Sequence, residues 1–540
     1  MGMFLNTAVP YEAYKTIAST RFFVDKSLLI AELLEALERD GQKYVCITRP
    51  RRFGKTIMAN MIAAFLGKAA DSSDLFHKPE LEGSEYCRKH MNMHDVIYID
   101  FSRLPEQCNS YEAYITRILS SLKEDIRNEY PEMQFSASMA VWDILLTIFQ
   151  KTRKKFVFVI DEWDAIFHMP FVNNAEQGMF LDFLKSLLKD QEYIELVYMT
   201  GILPIAKYSD GSELNMFDEY DMAVKEKYGS YFGFSEEEVD TLFEVYLQTT
   251  RQPRISRAAL AEWYDGYHTA SGDQLYNPRS VVCALRDNQL ANYWTSSGTY
   301  DSIFNYIKEN ITDVRDDLVL MVSGERVTSK MQEYAVTARE LLTRDQIYSA
   351  MVIYGLLTYE NGEVFIPNRE LMDKFNELLL SNESLGYVHR LAKESTKMLN
   401  ATLCGDTGTM SEILEYAHNT ESPIFSYNSE IELSAVVNLI YLAARDKYHI
   451  EREDKTGKGY VDFIFYPVKP ASDGIILELK VDHSPEKAIE QIKARDYLLK
   501  FQGKLGNTPR YTGRILAVGM SYDRKTKKHS CKVETLRSAL

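Results

Sequence analysis

Short apolar runs alternate with stretches of helical periodicity through the first half of the chain. Tyr44–Thr48, Val96–Phe101, Phe156–Asp161 and Leu196–Thr200 are almost uninterruptedly apolar, as strands are when helices cover both faces of their sheet. A helix predicted from Lys55 and others between the later strands complete a parallel α/β pattern. Beyond about Tyr231 the periodicity turns helical. Ser235-Glu236-Glu237-Glu238 ahead of Val239, Leu242 and Val245 reads as a capped helix start, and a helical lid is expected there. Further helices from about Ile303 to Leu380 are interrupted by Leu356–Ile366, a hairpin pattern around Asn361-Gly362, which predicts a winged-helix-like element. A helical stretch over Leu385–Glu415 leads to an amphipathic helix over Glu430–Lys447, strands at Tyr460–Pro467 and Gly474–Val481, a helix over Pro485–Phe501 and a strand at Arg514–Met520. That order describes a second, compact α/β domain.

Composition narrows the class. A length of 540 residues suggests two to four domains at roughly 150 residues each. Hydrophobic residues at 45% and charged residues at 26% exclude a disordered or fibrous chain. Met1–Tyr14 lacks the basic start and apolar run of a signal peptide, and no apolar stretch reaches spanning length, so a cytoplasmic protein without membrane association is expected. Six cysteines stand apart from one another and from histidines at zinc spacing, as unbridged thiols in a reducing compartment would. The net charge of −16 argues against nucleic-acid attraction over the whole surface. From Leu479 to Leu540, however, 14 Lys/Arg face 6 Asp/Glu. That surplus could meet phosphates, or it could be a solvated basic tail such as Arg524-Lys525-Thr526-Lys527-Lys528.

Chemistry enters at Arg49-Pro50-Arg51-Arg52-Phe53-Gly54-Lys55-Thr56, between an apolar strand and an apolar helix. A phosphate loop needs backbone N–H groups at a helix N-terminus, a lysine for the terminal phosphates and a hydroxyl for magnesium. Gly54, Lys55 and Thr56 supply those parts, with Arg52 and Phe53 beside them. Arg49 occupies the position where the generic pattern has its first glycine. Phe156–Asp161 supplies an apolar strand that ends in Asp161-Glu162; Asp161 is assigned to the magnesium shell and Glu162 to the attacking water. Leu196–Thr200 ends in a hydroxyl, and Thr200 is the candidate γ-phosphate sensor. ATP and Mg²⁺ are the expected ligands.

A second cluster lies near the C-terminus. Asp462 starts one strand, and Glu478-Leu479-Lys480 lies on the next. Strand side chains alternate, so Glu478 and Lys480 share a face. Two carboxylates and a lysine at a sheet can hold magnesium, activate water and stabilise a departing phosphate oxygen. A plain Glu478–Lys480 ion pair is the structural alternative.

Phe22-Phe23-Val24-Asp25-Lys26-Ser27, Thr48–Thr56, Trp263-Tyr264-Asp265-Gly266-Tyr267, Tyr276-Asn277-Pro278-Arg279-Ser280 and Ile366-Pro367-Asn368 together give the chain its likeness. It resembles, over almost its full length, the bacterial AAA-ATPase-like proteins that carry a C-terminal PD-(D/E)XK nuclease-like domain. In that family Arg-Pro-Arg-Arg-Phe-Gly-Lys-Thr is the usual loop, so Arg49 reads as a family variation. The resemblance implies nuclease roles for Asp462, Glu478 and Lys480, with Gln491 in support and a metal-shell glutamate at Glu430 or Glu432. Tyr460 stands where the family usually has arginine. The expected domains are a P-loop core at 1–230, a helical lid at 231–300, a helical, winged-helix-like region at 301–400 and a restriction-endonuclease-like α/β domain at 401–540.

The leading expectation is an ATP-binding and ATP-hydrolysing protein that controls Mg²⁺-dependent cleavage of DNA or RNA, with a homo-oligomer as a further partner state. The alternative is a nucleotide-dependent switch or scaffold whose nuclease-like domain grips nucleic acid or protein without cutting. A phosphotransferase is a third, for which no acceptor pocket can be named.

Overall fold

The computed structural model describes residues 2–106, 108–136, 138–205, 214–294, 311–331, 343–419, 430–451, 462–494, 497–501 and 511–539. The chain divides into two units, Met1–Thr299 with Thr328–Leu371, and Tyr300–Val327 with Met372–Leu540.

In the first unit, strands β1 (Tyr44–Thr48), β2 (Asp95–Asp100), β3 (Phe156–Asp161), β4 (Ile194–Gly201) and β5 (Asp218–Tyr220) form a sheet in the order β2-β3-β4-β1-β5. All its pairings are parallel. Successive side chains of β3 enter different cores. Phe156, Phe158 and Ile160 pack with Ile118, Leu145 and Phe180 on one face, and Val157 and Val159 pack with Met58, Ile62 and Phe65 on the other. Both faces are therefore dry, which is why β3 is apolar at every position before its terminal Asp161. The second face is covered by the helix Lys55–Leu66. The parallel α/β expectation holds, and β5 is an addition to it.

The helical periodicity after Tyr231 corresponds to Glu236–Thr249, Arg257–Tyr264 and Pro278–Asp287, which share a core around Tyr246, Leu260 and Val281. The expected cap is formed: Ser235 Oγ accepts from Glu238 N at 3.3 Å, and the Glu238 carboxylate accepts from Ser235 N at 2.9 Å. The hairpin expected around Asn361-Gly362 pairs Thr358–Glu360 with Glu363–Phe365. Both turn residues have positive φ, 51° and 88°, as a tight two-residue turn requires.

In the second unit, β6 (Tyr448–Glu451), β7 (Phe463–Pro467), β8 (Gly474–Val481), β9 (Ile515–Asp523) and β10 (Lys528–Arg537) are adjacent in chain order. Only β8 and β9 pair in parallel; the other neighbours are antiparallel. The helix Pro485–Ala494 supplies the β8–β9 crossover and buries Ala488, Ile489 and Ile492. Three expectations change here. The predicted Glu430–Lys447 helix ends at Ile440 and is followed by a 3-10 turn over Leu442–Asp446. The stretch Leu385–Glu415 is two helices, Tyr387–Cys404 and Thr407–Asn419, parted at Gly405 with φ 72°. The basic run Arg524–Lys528 is no tail but the turn joining β9 to β10, where Asp523 pairs with Lys528 and Asp482 accepts from Arg524 Nε at 2.6 Å. Among the described residues no helix is long and apolar enough to cross a membrane.

Candidate functional site

The sheet register brings the N-terminal candidates to one edge. Ile47 lies level with Thr200, Thr48 with Gly201, and Asp100 with Asp161, so the carboxyl ends of β1, β2, β3 and β4 open on the same side, where parallel α/β sheets bind ligands. The loop after β1 turns into the Lys55 helix through two left-handed residues, Arg52 at φ 72° and Gly54 at φ 92°. Gly54 is the helix N-cap, and glycine adopts that conformation without a steric cost. Arg49 is not among the positive-φ residues, so no glycine is required at its position.

The Arg49 side chain is buried and turned away from the loop. Its Nη1 donates to the Thr48 carbonyl at 2.7 Å and the Tyr220 carbonyl at 3.1 Å, and its guanidinium lies over the Phe232 ring at 5.1 Å. Burial pushes its pKa down to about 10, against the opposing pull of Asp221, Tyr198 and Glu226. Arg49 thus ties the end of β1 to β5, and Arg52 is the exposed loop cation.

Lys55 is buried, donates from Nζ to the Pro50 carbonyl at 3.2 Å and stands 4.0 Å from Glu162 Oε1. Thr56 is exposed on the first helical turn. Asp161 is fully buried at the end of β3, where Oδ1 accepts from Glu162 N at 3.1 Å and Oδ2 has no hydrogen-bond partner among the described residues. Burial, with Glu162 and Asp100, raises its carboxyl to about 7, while the neighbouring Thr56 hydroxyl and Lys55 ammonium oppose the rise. An orphaned carboxylate oxygen beside an exposed hydroxyl is a donor set that fits a hard divalent cation. Glu162 adopts φ 50°, a strained conformation of the kind that clusters at functional sites. Thr200 sits at the strand end but donates its hydroxyl to the Ile47 carbonyl at 2.9 Å; a sensor role requires that bond to open.

In the second unit, antiparallel register pairs Phe463 with Leu477, which brings Asp462 beside Glu478. The Asp462 carboxylate accepts from Leu479 N at 2.7 Å, and Glu478 Oε1 pairs with Lys480 Nζ at 2.6 Å. Asp462, Glu478 and Lys480 therefore form one cluster, and the ion pair named as the alternative is present within it. Gln491 is half-buried on the adjoining helix. Glu430 opens the helix Glu430–Ile440; its side chain, that of Glu432, and Tyr460 lie outside the described residues. Among the described residues no group of three or more His, Cys, Asp or Glu is arranged to hold a metal ion.

Residues 11–209 match a family model described as a predicted AAA-ATPase, and residues 434–529 match the PD-(D/E)XK nuclease superfamily. The chain joins an AAA-ATPase-like segment to a PD-(D/E)XK-superfamily segment. No curated protein matches it. Among solved structures, the Walker-type ATPase paby2304 of Pyrococcus abyssi aligns at 9% identity and TM-score 0.37, covering 66% of this chain and 99% of that one. The Aeropyrum pernix ORC2 protein, in ADPNP–ADP complexes, aligns at 11% identity and TM-score 0.32, covering 66% and 94%.

Two acids of the AAA-ATPase-like segment escaped the sequence reading. Asp100 ends β2 beside Asp161 and accepts from Arg103 Nε at 3.0 Å. Asp164 is buried and accepts from the backbone N–H groups of Ile202 at 3.2 Å and Leu203 at 3.0 Å; burial raises its pKa. It holds the chain leaving β4, and a third acid after Asp161-Glu162 was the available signal.

Proposed function

We propose that the AAA-ATPase-like segment binds and hydrolyses ATP with Mg²⁺, and that its nucleotide state controls a phosphodiester-cleaving site in the PD-(D/E)XK segment acting on DNA or RNA. The observation that most supports the first half is the buried Asp161 Oδ2, unpartnered among the described residues, beside Thr56 at the start of the Lys55 helix. Residues 52–56 receive the phosphates through backbone N–H groups at a helix N-terminus. Lys55 exchanges its bond to the Pro50 carbonyl for a phosphate oxygen. Thr56 and Asp161 hold the cation, which when bound neutralises phosphate charge. Glu162 takes the proton of the attacking water, and Thr200 reads the γ-phosphate once its bond to Ile47 opens.

For the second half, Asp462 and Glu478 offer oxygen ligands to Mg²⁺, with Glu430 as a further donor. Lys480 stabilises charge on the phosphodiester, and Gln491 supports the cluster from its helix. The test uses labelled ATP and varied DNA and RNA with Mg²⁺, on wild type, Lys55→Ala and Asp462→Ala. Binding lost in Lys55→Ala, and cleavage by wild type but not Asp462→Ala, are the expected results. Uncut substrates under all conditions sink the cleavage reading.

The Glu478–Lys480 ion pair favours a second reading, in which the PD-(D/E)XK segment grips nucleic acid or protein without cutting. Mg²⁺ titration separates the two. Binding of Mg²⁺ that disappears in Glu478→Ala supports chemistry, and nucleic-acid binding indifferent to metal supports the grip.

A further inference from the structure

The loop at residues 49–56 is held from far along the chain. Trp294, a fully buried side chain, donates its indole N–H to the Arg51 carbonyl at 3.2 Å. Gly355 packs on the loop so closely that a Cβ there would lie 2.7 Å from Pro50 Cβ, and its φ is 79°. The Phe53 ring meets Tyr267 edge-on at 5.0 Å, and the Tyr267 hydroxyl donates to the Gly355 carbonyl at 3.1 Å. These groups all belong to the first unit.

Trp294 follows the Pro278–Asp287 helix in irregular backbone, and one acid seats it. Glu370 is 1% exposed. Its Oε1 accepts from Tyr293 N at 2.5 Å and Trp294 N at 2.6 Å, and its Oε2 accepts from Ser280 Oγ at 2.8 Å. Its carbonyl accepts from Asn292 Nδ2 at 3.0 Å. A buried carboxylate needs such donors, and here they fix the backbone of residues 292–294.

We infer that Trp294, seated by Glu370, is a positioning residue for the phosphate-binding loop. A trans peptide is planar, so its carbonyl and N–H point in opposite directions. Pinning the Arg51 carbonyl sets the direction of the Arg52 N–H, a loop donor at a residue already strained to φ 72°. Strained backbone persists only where its surroundings over-determine it. The indole supplies that constraint before any phosphate arrives.

This inference rests on reading residues 49–56 as the nucleotide loop. The experiment titrates a fluorescent ATP analogue with Mg²⁺ into full-length wild type, Lys55→Ala, Trp294→Phe, Glu370→Ala and Glu370→Gln, with thermal unfolding of each. Trp294→Phe keeps a smaller ring in the site and removes the donor; nucleotide affinity falls about fivefold, while the cavity left in this buried site lowers the melting temperature, which thermal unfolding reads separately. Glu370→Ala weakens binding comparably, and Glu370→Gln, which retains an acceptor for the two N–H groups, restores it to within about twofold. Wild-type affinity in Trp294→Phe, alongside binding that depends on Lys55, overturns the positioning role alone. Absence of Lys55-dependent binding in wild type overturns the loop reading and this inference together.

Discussion

Lys55 Nζ stands 4.0 Å from Glu162 Oε1 while it donates to the Pro50 carbonyl at 3.2 Å. The lysine lies between its own loop and the acid proposed to receive the water's proton, so a phosphate that draws the ammonium away leaves Glu162 to act as a base. Glu162→Gln preserves side-chain shape and removes the base. ATP binding is expected to stay near wild type while turnover falls on the order of a hundredfold, read from equilibrium binding and phosphate release. Equal turnover removes Glu162 from the chemistry.

Asp161 predicts a pH dependence of the nucleotide-free protein. Its carboxyl is raised from 3.8 to about 7 by burial and by Glu162 and Asp100. Between those values the folded chain holds a proton that the unfolded chain has lost. This contribution to stability therefore declines as pH rises from about 4 to 7 and is level above that. Asp161→Asn removes the titration. The difference between the two stability–pH profiles, measured by urea unfolding without Mg²⁺ or nucleotide, is expected to amount to at most about 4 kcal/mol across that window. Parallel profiles contradict the assignment.

Placing glycine at position 49 is expected to harm the protein. Arg49→Gly removes both hydrogen bonds to the Thr48 and Tyr220 carbonyls and empties a buried site over Phe232. The expected cost is about 3 kcal/mol, measured by denaturant unfolding. A stabilised variant shows that the generic glycine suits this loop after all.

Gly201→Ala tests how closely β4 approaches the strand-end acids. A Cβ there would lie 2.5 Å from both Asp164 Oδ1 and Trp163 Cδ1, two buried groups with little freedom to move. The expected loss is about 2 kcal/mol, measured by thermal unfolding, and an unchanged melting temperature shows that the contact relaxes.

For the C-terminal cluster, Asp462→Asn and Glu478→Gln are each expected to abolish calorimetric Mg²⁺ binding by the second unit and to reduce cleavage on the order of a hundredfold. Retained heats with lost cleavage confine these residues to handling substrate.

The limits of β1 and β3 follow from the amino-acid order to the residue, because each is an apolar run buried on two faces that closes on one polar residue, Thr48 or Asp161. Ser235 with Glu238 and Asn361 with Gly362 were equally legible, since each signal acts over two to four neighbouring residues. β5 was not. Asp218–Tyr220 carries no apolar run, and its pairing depends on the already formed edge of β1. β10 begins within a run of lysines that reads as a solvated tail until β9 is available to pair with it. Gly54, Lys55, Thr56, Asp161 and Glu162 were nominated by their order and are gathered by the sheet register. The burial of Arg49 and the grip of Trp294 on Arg51 had no local signal; the latter spans 243 positions.

That span bears on how the protein is made. The sheet strands are complete by Tyr220, yet Trp294, Gly355 and Glu370 all follow, and the first unit closes only at Leu371. Chains grow from the N-terminus and fold as units become complete. A nascent chain halted at residue 230 or 290 carries the whole Arg49–Thr56 motif with Pro50 and the Arg51 carbonyl uncovered. Ribosome-bound intermediates of those lengths should bind nucleotide poorly, and competence should appear abruptly once residue 371 has cleared the exit tunnel.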